Sequence, residues 1–164
     1  MLRSDTTVAV GESANMYTHI LISTDGSELA QTGVTHGLAL AKLHGARVTI
    51  VTVTEAPGGQ FAYSSELWTP DEAGMAAYEE AQDRAAQAIL APVKAIAEQL
   101  GLEIEAVHVP NRRAAPAILD TASRCGCDAI VMASHGRSGM SRVLFGSQTA
   151  EVMANATMPV VIVQ

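Results

Sequence analysis

Short apolar segments rich in β-branched residues recur along the chain, and each has about the length of a β-strand. These segments cover residues 19–24, 47–54, 103–109, 129–133 and 160–163. The segments around Leu21 and Val131 are uniformly apolar, which is typical of strands covered on both faces. Glu103 and Glu105 alternate with apolar residues, which is typical of an edge strand. The pattern therefore predicts five strands, with the first and fourth inside the sheet.

The stretches between these strands have helical spacing and capping residues. The predicted helices cover residues 27–44, 69–100 and 113–124, and a fourth begins at 146–147 and ends before Pro159. Pro92 lies inside the second helix and is expected to kink or split it. Strands that alternate with helices predict an α/β fold with one open, mainly parallel sheet and helices on both faces.

Ligands of such sheets bind beyond the carboxyl ends of the strands, where the strand order reverses. If the first and fourth strands are neighbours, Asp25 and the segment from Ala133 onward meet at that point. The sequence therefore predicts a ligand site at this end of the sheet.

The net charge of the chain argues against nucleic acids and membranes as partners. The chain has 17 Asp and Glu against 10 Lys and Arg, which gives a net charge of -7. It therefore lacks the positive potential that would attract nucleic acids and anionic membranes. No apolar run approaches the roughly 20 residues that span a bilayer, and Asp5 and Glu12 interrupt the region where a signal peptide would be apolar. We expect a cytoplasmic protein with no nucleic-acid or membrane partner, a disordered leader over residues 1–16 and one domain over residues 17–164.

The segment from Met132 to Ser147 joins a buried strand to a predicted helix start through small and glycine-rich residues. In such a connection, backbone N–H groups and a helix N-terminus converge on an anion. Residues 111–147 contain five arginines and two acidic residues, in contrast to the acidic chain as a whole. The segment therefore predicts phosphate binding; the alternative is that its glycines only serve turns and Ser147 only caps a helix.

These residues carry a family resemblance. The chain resembles the universal stress protein family, whose nucleotide-binding members show G-x-x-G, nine residues, and then G followed by S or T. The matching positions are Ala133, Gly136, Gly146 and Ser147. Residues 24–27, 127–132 and 158–163 are also similar to the family pattern, so the resemblance covers about residues 17–164.

The resemblance implies a Rossmann-like sheet of the adenine nucleotide alpha hydrolase type, with strand order 3-2-1-4-5. It also implies an ATP-binding, usually dimeric protein linked to the stress response. The residues it places on the adenine and nucleoside are Thr24, Asp25, Val53, Met132 and Ala133. The residues it places on the phosphates, with magnesium or manganese as a bridging cation, are Gly136, Gly146, Ser147, Gln148 and Thr149.

Three positions within this pattern leave alternatives open. Ala133 stands where the family has its first glycine, so a methyl group could crowd the ribose or phosphate. His135 is a candidate phosphate contact or base, although a single loop histidine is more typical of a local hydrogen bond. Asp25 is a candidate magnesium ligand or the N-cap of the first helix, with Glu28 completing a capping box.

The loop supplies phosphate contacts but no clear residue to activate water. We therefore favour an adenine-nucleotide-binding module that is regulatory and non-catalytic. The alternatives are a slow ATPase or phosphotransferase that uses His135 or Asp25 with a metal, and a nucleotide-independent interaction protein.

The last predicted strand indicates a partner. The uncharged residues Val160, Val161, Ile162 and Val163 form a sheet edge in the strand order that the resemblance implies. An edge strand exposes unpaired N–H and C=O groups, which pairing with a second copy would satisfy with two-fold symmetry. We therefore expect a homodimer through this strand.

Overall fold

The structure, a computed structural model, describes residues 15–55, 72–135 and 146–164. Five strands alternate with four helices in these ranges, as the pattern predicts. The strands are β1 (His19–Ser23), β2 (Arg47–Val53), β3 (Ile104–Val109), β4 (Ala129–Ala133) and β5 (Val160–Val163). The helices are α1 (Glu28–His44), α2 (Glu72–Gln99), α3 (Ala114–Cys125) and α4 (Ser147–Asn155). Residues 1–14, on which the leader prediction rests, lie outside the described residues.

The strands form one sheet in the order β3-β2-β1-β4-β5, and every pair is parallel. The predicted fold class and strand order are confirmed. β1 pairs with β2 on one side and with β4 on the other, so the order reverses at β1. Among the described residues no helix is long and apolar enough to cross a membrane.

Alternate side chains of the strands supply two core layers, one on each face of the sheet. On one face, Ile20 and Ile22 of β1 belong to the cluster that includes Leu38 of α1 and Val93 of α2. On the other face, Leu21 belongs to a cluster formed with α3 and α4. Because these β1 side chains are fully buried on both faces, the central strand is fixed between the two helical layers.

Two glycines let α1 lie close to the sheet. A Cβ on Gly37 would stand 2.6 Å from Cδ1 of Ile22, and one on Gly33 would stand 3.3 Å from the backbone nitrogen of Ala133. Any larger residue at Gly37 would therefore push α1 away from β1. This close packing places the start of α1 beside the carboxyl ends of β1 and β4.

Of the two expectations for Pro92, a kink or a split, the split is wrong, since α2 is one continuous helix with Pro92 inside it. Proline cannot donate to the carbonyl four residues earlier, which belongs to Ala88. Both Pro92 and Ala88 lie on the exposed side of α2. Water can therefore satisfy that carbonyl, and the buried side of the helix keeps its packing.

A cluster of hydrogen-bonded polar residues lies at the amino ends of the central strands. The Asp128 carboxylate accepts hydrogen bonds from the backbone N–H of Thr18 at 2.8 Å, its hydroxyl at 2.6 Å and the N–H of His19 at 3.1 Å. Nε2 of buried His19 lies 2.8 Å from Oγ1 of Thr49, and a nitrogen of the Arg47 guanidinium lies 3.4 Å from Nδ1. Burial, together with the charge of Arg47, lowers the pKa of His19. Burial and the charge of Arg47 therefore favour the neutral form of His19, against the opposing charge of Asp128.

This lowered pKa predicts a loss of stability in mild acid. The unfolded chain takes up a proton on His19 near pH 6.5, whereas the folded protein does so only at lower pH, so stability falls as the pH drops below about 6.5. His19→Gln should make the free energy of unfolding, measured by urea denaturation, less dependent on pH between 7.5 and 5.5. His36→Gln, at an exposed position of α1, is the matched control. An equal pH dependence for the parent and His19→Gln would contradict the prediction.

Candidate functional site

A cavity of about 390 Å³ opens at the carboxyl ends of β1, β2 and β4, where the strand order reverses. Pockets of roughly 300–1,000 Å³ commonly hold small molecules. Every predicted site residue that the structure describes lines this cavity. These residues are Thr24, Asp25, Val53, Met132, Ala133, His135, Gly146, Ser147, Gln148 and Thr149. The remaining one, Gly136, lies outside the described residues.

The turn after β1 is built from side-chain to backbone hydrogen bonds. Thr24 Oγ1 accepts from the N–H of Gly26 at 3.2 Å, and Asp25 Oδ1 accepts from the N–H of Ser27 at 3.0 Å. Ser27 is the N-cap of α1 and accepts from the N–H of Ala30 at 3.2 Å. Asp25 is therefore not the N-cap. Its carboxylate instead holds the turn at the wall of the cavity.

The N-terminus of α4 forms the opposite wall. Gly146 is the residue before the helix, and its own N–H donates to the Ser134 carbonyl at 3.0 Å. The next three N–H groups, those of Ser147, Gln148 and Thr149, belong to the first turn, where an α-helix offers no internal acceptor. A Cβ at Gly146 would lie 3.6 Å from the Ser134 oxygen, which is ordinary contact. The fold therefore does not itself require glycine here.

The side chains of Gln148 and Thr149 hold the site together. Oε1 of Gln148 accepts from the N–H of Ala115 in the first turn of α3 at 2.8 Å. The buried hydroxyl of Thr149 donates to the carbonyl of Ala133 at 3.2 Å. These two bonds tie α4 to α3 and to β4. What Gln148 and Thr149 offer the cavity is therefore chiefly their backbone N–H groups.

Ala133 is compatible with the backbone at the end of β4. Among the described residues, Asn111 is the one non-glycine position with a positive φ, so the conformation at Ala133 does not require glycine. Strand alternation puts its methyl group on the same face as Val131, which belongs to the core layer of α1 and α2. The methyl group therefore lies on the α1 face of β4.

His135 lies beyond β4 and lines the cavity. Its Nδ1 is 3.1 Å from the hydroxyl of buried Ser134. The ring therefore has the local hydrogen bond that is typical of a single loop histidine.

Of the five arginines between residues 111 and 147, none that the structure describes lines the cavity, and Arg137 and Arg142 lie outside the described residues. Asp25 and Glu55 line the cavity, and the described lining residues include no lysine or arginine. Arg113 pairs with Glu151 at 2.5 Å, and Arg112 pairs with Asp120 at 2.8 Å, both outside the cavity. In the described part of the chain, the site therefore meets positive potential at helix N-termini, among them the start of α4 with its N–H groups.

Sequence reasoning missed part of the apolar wall. Ala114 and Ile118 of α3 line the cavity one helical turn apart. Their four-residue spacing was a usable signal, but only with knowledge of which face of α3 meets the sheet. The described residues contain no group of three or more His, Cys, Asp or Glu side chains that could hold a metal ion.

Comparison with known proteins gives the family. Residues 16–164 match the model of the universal stress protein family. Universal stress protein MJ0531 of Methanocaldococcus jannaschii is 31% identical over 152 residues, which cover 92% of this chain and 84% of that protein.

Two solved structures share the fold. A universal stress protein in complex with cAMP has a TM-score of 0.62 at 22% identity and covers 90% of this chain and 97% of its own. The universal stress protein from Archaeoglobus fulgidus in complex with dAMP has a TM-score of 0.61 at 21% identity and covers 90% and 98%. From the family match and the similarity to MJ0531, we conclude that the chain belongs to the universal stress protein family.

Proposed function

We propose that this protein binds ATP in the cavity described above and acts as a regulatory, non-catalytic module of a stress response. The observation that carries the proposal is the first turn of α4, which opens on a cavity at the carboxyl ends of the central strands. The complexes of two fold relatives with cAMP and dAMP support an adenine nucleotide as the ligand.

The phosphates would lie at the start of α4. The backbone N–H groups of Ser147, Gln148 and Thr149 can donate to phosphate oxygens, and the helix dipole places about half a positive charge there. Gly146 would contribute space, since its N–H is bonded to Ser134 and it has no side chain to block the approach. Binding by backbone groups explains how an acidic protein could hold a polyanion.

The nucleoside would lie toward β1 and β2. Val53, Met132 and Ile118 supply apolar surface for the adenine ring. The carboxylates of Asp25 and Glu55 repel phosphate but can accept hydrogen bonds from ribose hydroxyls or the adenine amino group. The charge pattern therefore orients the nucleotide with its phosphates toward α4.

A divalent cation, Mg²⁺ or Mn²⁺, would be carried mainly by the phosphates. Magnesium usually keeps several waters and binds one or two carboxylates plus substrate phosphates. Since the described residues offer no metal cluster of their own, the cation would arrive with the nucleotide.

Binding without efficient hydrolysis fits the groups present. Phosphoryl transfer needs positive charge on the transferred group and a residue that orients the attacking water. The described lining has no lysine or arginine, and Nδ1 of His135 is engaged with Ser134. We therefore propose a binding role rather than an enzymatic one.

We also propose a homodimer through β5. This strand pairs with β4 on one side, and Val160, Val161 and Ile162 are half-buried in the single chain. The carbonyls of Pro159 and Val163 accept from the N–H groups of Ile130 and Ser134, so by the two-residue period the N–H groups of Val160 and Ile162 face outward. Those outward groups are the ones that a second copy would pair with.

The nucleotide proposal predicts that Mg-ATP raises the melting temperature. A ligand at about 100 times its Kd stabilises the native state by about 2.7 kcal/mol, which for a domain of this size is a rise of roughly 5–10 °C. Gly146→Val should abolish the rise because its side chain fills the space for a phosphate. His135→Ala should keep it, with affinity reduced by less than about tenfold, or 1.4 kcal/mol.

Thermal unfolding followed by dye fluorescence, with calorimetric titration for affinity, provides the measurement. Without nucleotide, Gly146→Val should melt within a few degrees of the parent, since a Cβ there meets nothing closer than 3.6 Å. Absence of both a thermal shift and binding heat for the parent at millimolar Mg-ATP would reject the proposal. Loss of all binding in a folded His135→Ala protein would make the histidine the principal contact instead.

The dimer proposal predicts that Ile162→Pro gives a folded monomer. Proline removes an outward N–H, whereas Val161→Pro would remove a donor directed at β4. Ile162→Val keeps the N–H and most of the packing and should remain dimeric. Sedimentation at micromolar concentration distinguishes these outcomes, and a parent protein that sediments as a monomer would refute the proposal.

A further inference from the structure

A second cavity of about 610 Å³ lies between the edge strand β3 and α3. It shares no lining residue with the candidate nucleotide site. The groups that matter for its chemistry are Val107, Val109, Arg112, Asp120, Thr121 and Arg124. Both cavities have lining residues from α3, with Ala114 and Ile118 in the first and Asp120, Thr121 and Arg124 in the second.

Thr121 is the unusual residue of this cavity. It is 0% exposed, and its hydroxyl has no hydrogen-bond partner within the described ranges. A helical threonine commonly donates to the carbonyl four residues earlier, here that of Ala117, but Thr121 does not. A buried hydroxyl without a partner destabilises a fold, so its presence in the lining of a cavity points to a ligand that accepts its hydrogen bond.

The cavity carries positive charge in an acidic protein. Arg112 pairs with Asp120 at 2.8 Å, which neutralises that carboxylate and orients the guanidinium. The backbone N–H of Arg112 also bonds to the carbonyl of Thr54 at 3.2 Å, which fixes the turn between β3 and α3. Arg124 is exposed, and no acidic side chain of the described residues lies within ion-pair distance of it. The two arginines and one aspartate therefore leave a net charge of about +1 for a ligand to meet.

The strand side of the cavity is apolar. Val107 and Val109 are half-buried and pack at the margin of the α3 and α4 core, and Pro110 follows them. A ligand that covers this side needs an apolar part as well as an acidic group. Free inorganic phosphate would satisfy the arginines but leave the valines uncovered.

We propose that this cavity binds a small organic anion. Its acidic group, a phosphate monoester or a carboxylate, bonds to Arg112, Arg124 and the Thr121 hydroxyl, and its apolar body lies on Val107 and Val109. The guanidinium fork suits both kinds of acid, since it donates in pairs to carboxylate and phosphate oxygens.

The test is a titration of the ¹⁵N-labelled full chain with phenyl phosphate and, separately, with benzoate, followed by backbone amide shifts. Phenol, which lacks the acidic group, is the ligand control. We expect saturable shifts of the amides of Val107, Val109 and Thr121 with at least one of the two acids, and none with phenol. The acid that binds more tightly shows which acidic group the cavity prefers.

Three variants separate recognition of the ligand from a general charge effect and from an effect on folding. Arg124→Gln should weaken binding of the preferred acid by about tenfold or more. Arg84→Gln removes the same charge from an exposed position of α2 and should leave the affinity unchanged. Thr121→Val keeps the shape but removes the hydroxyl, and it should also weaken binding while leaving the melting temperature equal or higher.

Several results would overturn the proposal. These are the absence of saturable shifts at these amides, equal binding of phenol, or equal losses in Arg124→Gln and Arg84→Gln. A Thr121→Val protein that melts earlier yet binds as tightly as the parent would show that the hydroxyl has a purely structural partner. The amides followed here are distinct from those of α4, so this outcome does not depend on ATP binding.

Discussion

The parallel pairing of β1 with both β2 and β4 is the constraint on which the rest of the molecule depends. The chain leaves β1 toward β2 and β3 on one side and returns to β4 and β5 on the other. Helices on opposite faces therefore diverge at the carboxyl ends of β1 and β4, and a crevice opens between them. Gly33 and Gly37 keep α1 close to the sheet beside it. The full burial of β1 on both faces holds this arrangement in place.

Within that crevice, side chains hold the structure in position, and backbone N–H groups are left to bind a ligand. The side chains of Asp25, Gln148 and Thr149 hold turns and helix ends in position through bonds to the backbone. The groups left for an anion are the N–H groups of the first turn of α4. An acidic protein can hold an anion in a site of this kind, because backbone N–H donors need no positively charged side chain. In the proposed site Gly146 would leave space for a phosphate, although a Cβ there would cause no clash within the protein.

The strands could be predicted from the sequence because a strand buried on both faces is continuously apolar, and a strand buried on one face alternates apolar and polar residues. The ranges of β4 and β5 were predicted to the residue, and β1 and β2 to within one residue. The expected split at Pro92 was wrong because the effect of a helical proline depends on which side of the helix it occupies, and that side is set by tertiary packing. The arginines between residues 111 and 147 suggested charge at the site, yet Arg112 and Arg113 pair elsewhere. No local pattern reveals such pairings or the apolar contribution of Ile118.

The central claim is that the start of α4 and the ends of the central strands form one adenine-nucleotide site. Amide shifts of the ¹⁵N-labelled protein on addition of Mg-ATP test it most directly. The account predicts saturable shifts at Ser147, Gln148 and Thr149 together with Asp25 and Val53, and none at His19 or Asp128 at the opposite end of the sheet. Saturable shifts confined to residues outside the cavity, with the α4 amides unchanged, would contradict it.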